Sequence, residues 1–153
     1  PKQRSAIAMT DDEQTEYLEK GYTLQVASNG PGGYPHLVAM FYAVIDGKVC
    51  FHTYPKSQKI VNLKRDPRIA VLVEDGTTYD QLRGVSINGR AELVDDPAEV
   101  ERYAEAVVAK NNPEVPPEMR KDAAKALARK RTVVVVRPER IASWDHRKLA
   151  GAY

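Results

Sequence analysis

The residues best suited to chemistry lie in the run His52-Thr53-Tyr54-Pro55-Lys56-Ser57-Gln58-Lys59. An apolar, β-rich segment ends here and a short helical pattern begins, with Ser57 at the N-cap position. A helix N-terminus offers free backbone N–H groups and the positive end of the helix dipole. Two lysines and a hydroxyl at such an end make a phosphate site. With no ligand the same run is a solvated helix start with surface lysines. His52 and Thr53, on the strand leading in, stand next to anything whose phosphate rests at Lys59, although a lone strand histidine is usually structural. The segment 37–42, Leu-Val-Ala-Met-Phe-Tyr, reads as the hairpin partner of strand 48–54. It would lay an apolar hairpin face beside the anion site, which suits a flat heteroaromatic ring on a phosphate tail.

Other chemistries find no support in the spacing. No Gly-x-Gly-x-x-Gly follows a strand, there is no Walker loop, and Gly30-Pro31-Gly32-Gly33 has the wrong spacing. His36, His52 and His146 are scattered and, with one cysteine, form no zinc pattern. No Ser-His-Asp or Cys-His arrangement can be argued. Arg129-Lys130-Arg131 closes a helix and complements its dipole rather than reading nucleic acid. A chain without an evident acid, base or nucleophile is often one whose cofactor does the chemistry.

The elements around this run are mostly strands. Thr10 and Glu13 form a capping box for a helix over 10–20, ended by Gly21. Strands follow over 22–27, 36–45 and 48–54, the last two joined by Asp46-Gly47, a type I′ hairpin signal. A short helix over 57–65 stops before Asp66-Pro67. Residues 68–74 read as a buried strand. The next strand alternates, with Val85, Ile87, Gly89, Ala91 and Leu93 on one face. Asp96, Pro97 and Glu99 give an N-cap, a first-turn proline and a capping box. The helix behind them carries a stripe at Val100, Tyr103, Ala104, Val107 and Val108. A proline-rich break at 112–117 precedes a helix over 118–130, a last strand over 132–137, and a short mixed tail over 141–153. Six strands linked by hairpins, without a helix between most of them, argue for a mainly β (α+β) fold: an antiparallel barrel with peripheral helices. The Val133–Val136 run calls for more apolar cover than one small barrel supplies, which points to a second chain.

The 153 residues, 42% hydrophobic and 29% charged, suit a single globular domain over 1–153. A net charge of +2 predicts neither nucleic acid nor a membrane surface as partner. No apolar run approaches the roughly 20 residues of a membrane span. No secretory signal is read at the N-terminus, and a single cysteine, Cys50, places the chain in a reducing compartment, the cytoplasm.

Several of these segments, taken in order, look familiar. They are Pro35-His36-Leu37 entering a strand, the Asp46-Gly47 hairpin, Lys59-Ile60-Val61-Asn62-Leu63 before Asp66-Pro67-Arg68, and Tyr79-Asp80-Gln81-Leu82-Arg83-Gly84 opening a long strand. Together, over residues 10 to 145, they resemble the pyridoxamine 5′-phosphate oxidase-like split-barrel superfamily. Within it they look most like the actinobacterial deazaflavin (coenzyme F420)-dependent reductases. The resemblance implies a six-stranded split barrel of the FMN-binding type, a homodimer, and cofactor sites at its interface. Lys59 matches the position that grips the cofactor phosphate, and Lys56 and Ser57 share its loop. Val38, Ala39 and Met40 match the strand whose backbone lines the ring. His52, Thr53 and Asn62 are further expected contacts, and Trp144 is placed to close the pocket from the partner chain or to pack the interface. Flavin oxidases of this superfamily carry basic residues on the strand that here reads Leu37 to Tyr42, without charge. That difference favours coenzyme F420, whose long anionic tail welcomes positive charge outside the ring pocket, over FMN. The expected activity is hydride transfer from the reduced deazaflavin to a small electrophile. The alternatives are an FMN-dependent oxidase of the pyridoxamine-phosphate type and a non-enzymatic cofactor carrier. No catalytic residue is assigned; His52 and Tyr79 are the candidates for a proton donor.

Overall fold

A computed structural model describes residues 2–149; Pro1 and Ala150–Tyr153, the end of the mixed tail, lie outside the described residues. Its strands are β1 (Thr23–Asn29), β2 (Pro35–Phe41), β3 (Ala43–Ile45), β4 (Lys48–Thr53), β5 (Arg68–Asp75), β6 (Arg83–Val94) and β7 (Thr132–Asp145). They form one seven-stranded sheet in the order β2-β1-β5-β6-β7-β4-β3, curled into a half-barrel. Every neighbouring pair is antiparallel. The mainly β split barrel expected from the sequence is present, with seven strands instead of six.

The extra strand arises at Tyr42. Segment 36–45 is not continuous: β2 and β3 are the two edges of the sheet, and Tyr42 alone separates them. Tyr42 is fully buried, its hydroxyl donates to the Leu18 carbonyl, and its carbonyl accepts from Asn111 Nδ2 (3.3 Å). The Asn111 bond occupies the carbonyl that a ladder would use, and the chain passes from one sheet edge to the other at this residue. Consequently 37–42 is not the hairpin partner of 48–54. β2 pairs with β1, from Thr23↔Phe41 to Asn29↔Pro35, and the β4 hairpin is formed by β3 alone. Asp46 (φ 52°) and Gly47 (φ 75°) make the turn, as a type I′ hairpin requires.

Strand β7 also exceeds its sequence reading. It continues through 141–145 because β6 offers partners as far as Arg83↔Asp145. A register shift at Asn88/Gly89 lies opposite Pro138, where a residue without an N–H cannot serve the ladder. A Cβ on Gly89 would sit 2.2 Å from the Arg137 carbonyl oxygen, so this bulge needs glycine.

The helices are α1 (Lys2–Ile7), not foreseen from the sequence, α2 (Asp11–Lys20), α3 (Gln58–Arg65), α4 (Pro97–Asn111) and α5 (Pro117–Ala128). The Thr10–Glu13 capping box of α2 is formed. At α4 only half of the expected box is present. Asp96 accepts from the Glu99 amide (3.2 Å), while the Glu99 carboxylate turns to Arg102 (3.1 Å). Inside the barrel, Leu24, Val26, Val71, Val85, Ile87 and Val134 form the main core. Val133 and Val135, on the other face of β7, pack with Val100 and Val107 of α4. The Val133–Val136 run is therefore covered within one chain, and the second chain expected there is replaced by α4. Lys110, near the end of α4, donates to the Gly21 carbonyl and lies 4.1 Å from the Tyr42 ring centroid, tying α4 to α2. Among the described residues no helix is long and apolar enough to cross a membrane.

Candidate functional site

The junction between β4 and α3 is a tight turn in which the Ser57 amide donates to the Tyr54 carbonyl (3.0 Å). Ser57 occupies the N-cap position in extended conformation, yet its side chain does not cap the helix. Its hydroxyl instead accepts from Thr53 Oγ1 (3.3 Å). The first-turn N–H groups of a helix have no intrahelical partners, and here the usual side-chain acceptor is engaged elsewhere. The first turn also contains no acidic residue. The positive end of α3 is thus open to an external anion.

Lys59 projects from this first turn, half-buried and without an ion pair among the described residues. Burial holds its amine below the ordinary lysine value, so an adjacent anion would be strongly favoured as its counter-charge. Lys56 is exposed and Thr53 buried. Asn62, one turn further along α3, is fully buried, donating to Ser28 Oγ (3.1 Å) and accepting from Gln58 Nε2 (2.7 Å). It pins α3 to β1 and thereby sets where Lys59 stands.

His52 is half-buried, and its Nδ1 is shut off from solvent with no hydrogen-bond partner. Burial, then the charge of Arg131, hold its pKa below the ordinary 6.5. Below that pH the unfolded chain takes up a proton that folded His52 resists, so stability is lost as pH falls from 6.5. Denaturation midpoints measured between pH 6.5 and about 5.5 are expected to drop less steeply in His52→Asn than in the parent protein. Equal slopes would assign the loss to other groups.

Arg131 escaped the sequence reading, which gave it to the dipole of the preceding helix. The Thr53↔Thr132 pairing brings it beside the loop, with its guanidinium 3.6 Å from the Tyr54 ring centroid. Only the β4–β7 pairing, a contact between distant segments, could have revealed this third cation. His36 was read from the sequence only as part of the Pro35-His36-Leu37 strand entry. It lies opposite Ser28 in the β1–β2 ladder, and its Nδ1 is buried without a partner.

The other expected residues are not gathered at this loop. Val38 and Met40 point into the barrel and pack on its core, whereas Ala39 faces outward between exposed Leu37 and Phe41. Trp144 lies against Gly84, where an added Cβ would meet the indole at 2.3 Å. Measured along β7, Trp144 is on the order of 40 Å from Thr132, at roughly 3.3 Å per residue. A cleft of about 650 Å³ is also at that far end of the barrel. Its charges are largely self-neutralised. Tyr17 donates to Asp75 (2.6 Å), Arg83 reaches Asp75 (3.4 Å), and Arg147 makes two bonds to Asp145 (2.9 and 2.7 Å).

An antiparallel half-barrel with an open helix N-terminus at one strand end defines a protein of the split-barrel class. The comparison with known families is specific: the chain belongs to the pyridoxamine 5′-phosphate oxidase family, whose pattern matches residues 10–145. Among solved structures it is similar to the conserved hypothetical protein Rv2991 from Mycobacterium tuberculosis. The two are 43% identical, with 100% of this chain and 95% of that chain covered and a TM-score of 0.92. A structure described as an F420 reductase is 26% identical, over 83% of this chain and 94% of its own, with a TM-score of 0.63. A FAD-binding protein from Mesorhizobium loti, 22% identical over 89% of this chain and 94% of its own, shares the fold at a TM-score of 0.67. No curated protein matches the sequence.

Proposed function

We propose that the chain is a cytoplasmic oxidoreductase that binds coenzyme F420 at the Lys59 loop and transfers a hydride to a small electrophilic substrate. The observation that carries this reading is the half-buried, unpaired Lys59 at a helix N-terminus that Ser57 leaves uncapped. The residues fit such a cofactor. Lys59, Lys56 and the α3 amides suit its phosphate, and the buried, unpartnered Nδ1 of His52 offers a polar contact next to it. The uncharged strand Leu37 to Tyr42 favours the deazaflavin over FMN. The F420 reductase among its structural relatives supports the same choice.

A homodimer belongs to this reading. Leu37 and Phe41 are 66% and 64% exposed on the outer face of edge strand β2, an apolar row that a second copy would cover. Trp144 and Lys59 stand at opposite ends of one barrel, so both can border one cofactor only if Trp144 comes from the partner. Val38, Ala39 and Met40 then supply backbone to the ring from β2.

The bound deazaflavin would supply two-electron hydride chemistry. The chain's part is to hold the phosphate, orient the ring and exclude water. His52, neutral at physiological pH, and Tyr79, which packs on His146 at the Trp144 end and so would come from the second copy, are the polar side chains proposed to assist a proton, each within the ~10²–10⁴-fold typical of general acid–base help. The test is single-turnover oxidation of reduced F420 by an activated enone or quinone, followed by the return of cofactor absorbance. Turnover supports the reductase; saturable binding without turnover for any acceptor would make the chain a carrier instead.

A further inference from the structure

His146 is held differently from the other two histidines. Its Nδ1 lies 2.8 Å from the Tyr79 carbonyl oxygen, and its backbone N–H donates to the Leu82 carbonyl (2.9 Å). Its ring meets the Tyr79 ring edge to face, with centroids 4.6 Å apart. These contacts lock together two short helical turns, Tyr79–Gln81 and His146–Leu149. A carbonyl oxygen can only accept, so Nδ1 carries the hydrogen of that bond. The proton that comes and goes is then the one on Nε2, and the ring keeps its place in both charge states. Nε2 has no hydrogen-bond partner among the described residues and is not shut off from solvent. His36 and His52 instead bury an unpartnered Nδ1. The charged groups on the elements around His146 are Asp80, Arg83, Asp145, Arg147, Lys148 and, on α1, which packs on the same turn, Arg4. Asp80 accepts from Thr78, Arg83 pairs with Asp75, Asp145 with Arg147, and Lys148 with Glu13. None of these pairs includes His146, so no carboxylate holds the proton on Nε2.

Resting on the reductase reading above, in which Trp144 reaches the cofactor from the second copy, we infer that His146, two residues beyond Trp144, is the proton donor of the reaction and that the Tyr79 carbonyl positions it. The hydride, from the reduced deazaflavin, forms a C–H bond at the electrophilic carbon of the substrate. The displaced π pair comes to rest on the substrate oxygen. That oxygen takes the proton from Nε2, whose N–H bond breaks, and solvent then reprotonates the imidazole.

The test follows single-turnover oxidation of reduced F420 by an activated enone across pH, in the parent protein, His146→Gln and His146→Ala. A glutamine amide can still donate to the Tyr79 carbonyl but cannot titrate. The parent's rate should fall as pH rises and the imidazolium is lost. His146→Gln should be roughly a hundredfold slower and lose that pH dependence, with F420 affinity unchanged. His146→Ala should regain rate when imidazole is added, a response that a merely structural residue would not give. Nitrogen NMR of the parent without cofactor should show Nδ1 of His146 protonated throughout and Nε2 titrating, a readout that stands even if a variant does not fold. A parent-like rate and pH profile in His146→Gln, no rescue by imidazole, or titration at Nδ1 would each overturn the proton donor while leaving the Lys59 site standing. Lost F420 affinity in His146→Gln would overturn it in favour of a ligand contact. A parent protein that neither binds nor oxidises reduced F420 would overturn the reductase reading and the proton donor with it.

Discussion

Replacing Lys59 by Ala is expected to weaken cofactor binding by about 1.5–3 kcal/mol, the range for a hydrogen bond to a charged group, or roughly ten- to a hundred-fold in Kd. The amine stands in the first turn of α3, half-buried and without a carboxylate partner, and burial already disfavours its charge. Only an incoming anion would repay that desolvation. Removing the amine should therefore leave folding almost unchanged, because the protein loses no internal bond. Cofactor titration and a thermal melt on the same preparation separate the two effects. An unfolded variant, or a folded one with unaltered affinity, would show that the anion site is elsewhere.

Asn62→Ala is expected to do the reverse. Asn62 is fully buried and its amide bonds both Ser28 and Gln58. Truncation leaves the Ser28 hydroxyl, itself 3% exposed, without the amide that donates to it, and opens a small void. The combined cost should be about 2–3 kcal/mol in urea denaturation. Gln58, nearer the surface, can turn to water. Affinity per folded molecule should stay within a few-fold, because Asn62 faces β1 rather than the open helix end. Full stability with lost affinity would instead place Asn62 in contact with the ligand.

These two residues also mark what was legible in the sequence. The setting of Lys59 could be read because it is local: a strand ends, a serine and a helix begin, and lysines flank the start. Asn62 could be named only through family resemblance, since its partner Ser28 is distant in the chain. The strands were legible where alternation is clean, as in Val85–Leu93. They were misread where a long-range contact overrides it. Tyr42 continues an apolar run, and only its bonds to Leu18 and Asn111 reveal the break between β2 and β3. Residues 137–140 carry charge and a proline, which hid the continuation of β7 along β6. The apolar Val133–Val136 run was correctly read as buried, but its cover came from α4. Arg131 looked like a helix-end charge until strand pairing set it on Tyr54.

The central claim is that the Lys59 loop binds a deazaflavin in preference to a flavin. Its most direct test is a pair of equilibrium titrations of the purified protein, one with coenzyme F420 and one with FMN, followed by fluorescence at fixed salt. Saturable F420 binding, two per dimer by light scattering of the same sample, with markedly weaker FMN binding, is the predicted result. Tight FMN binding with no response to F420 would contradict it.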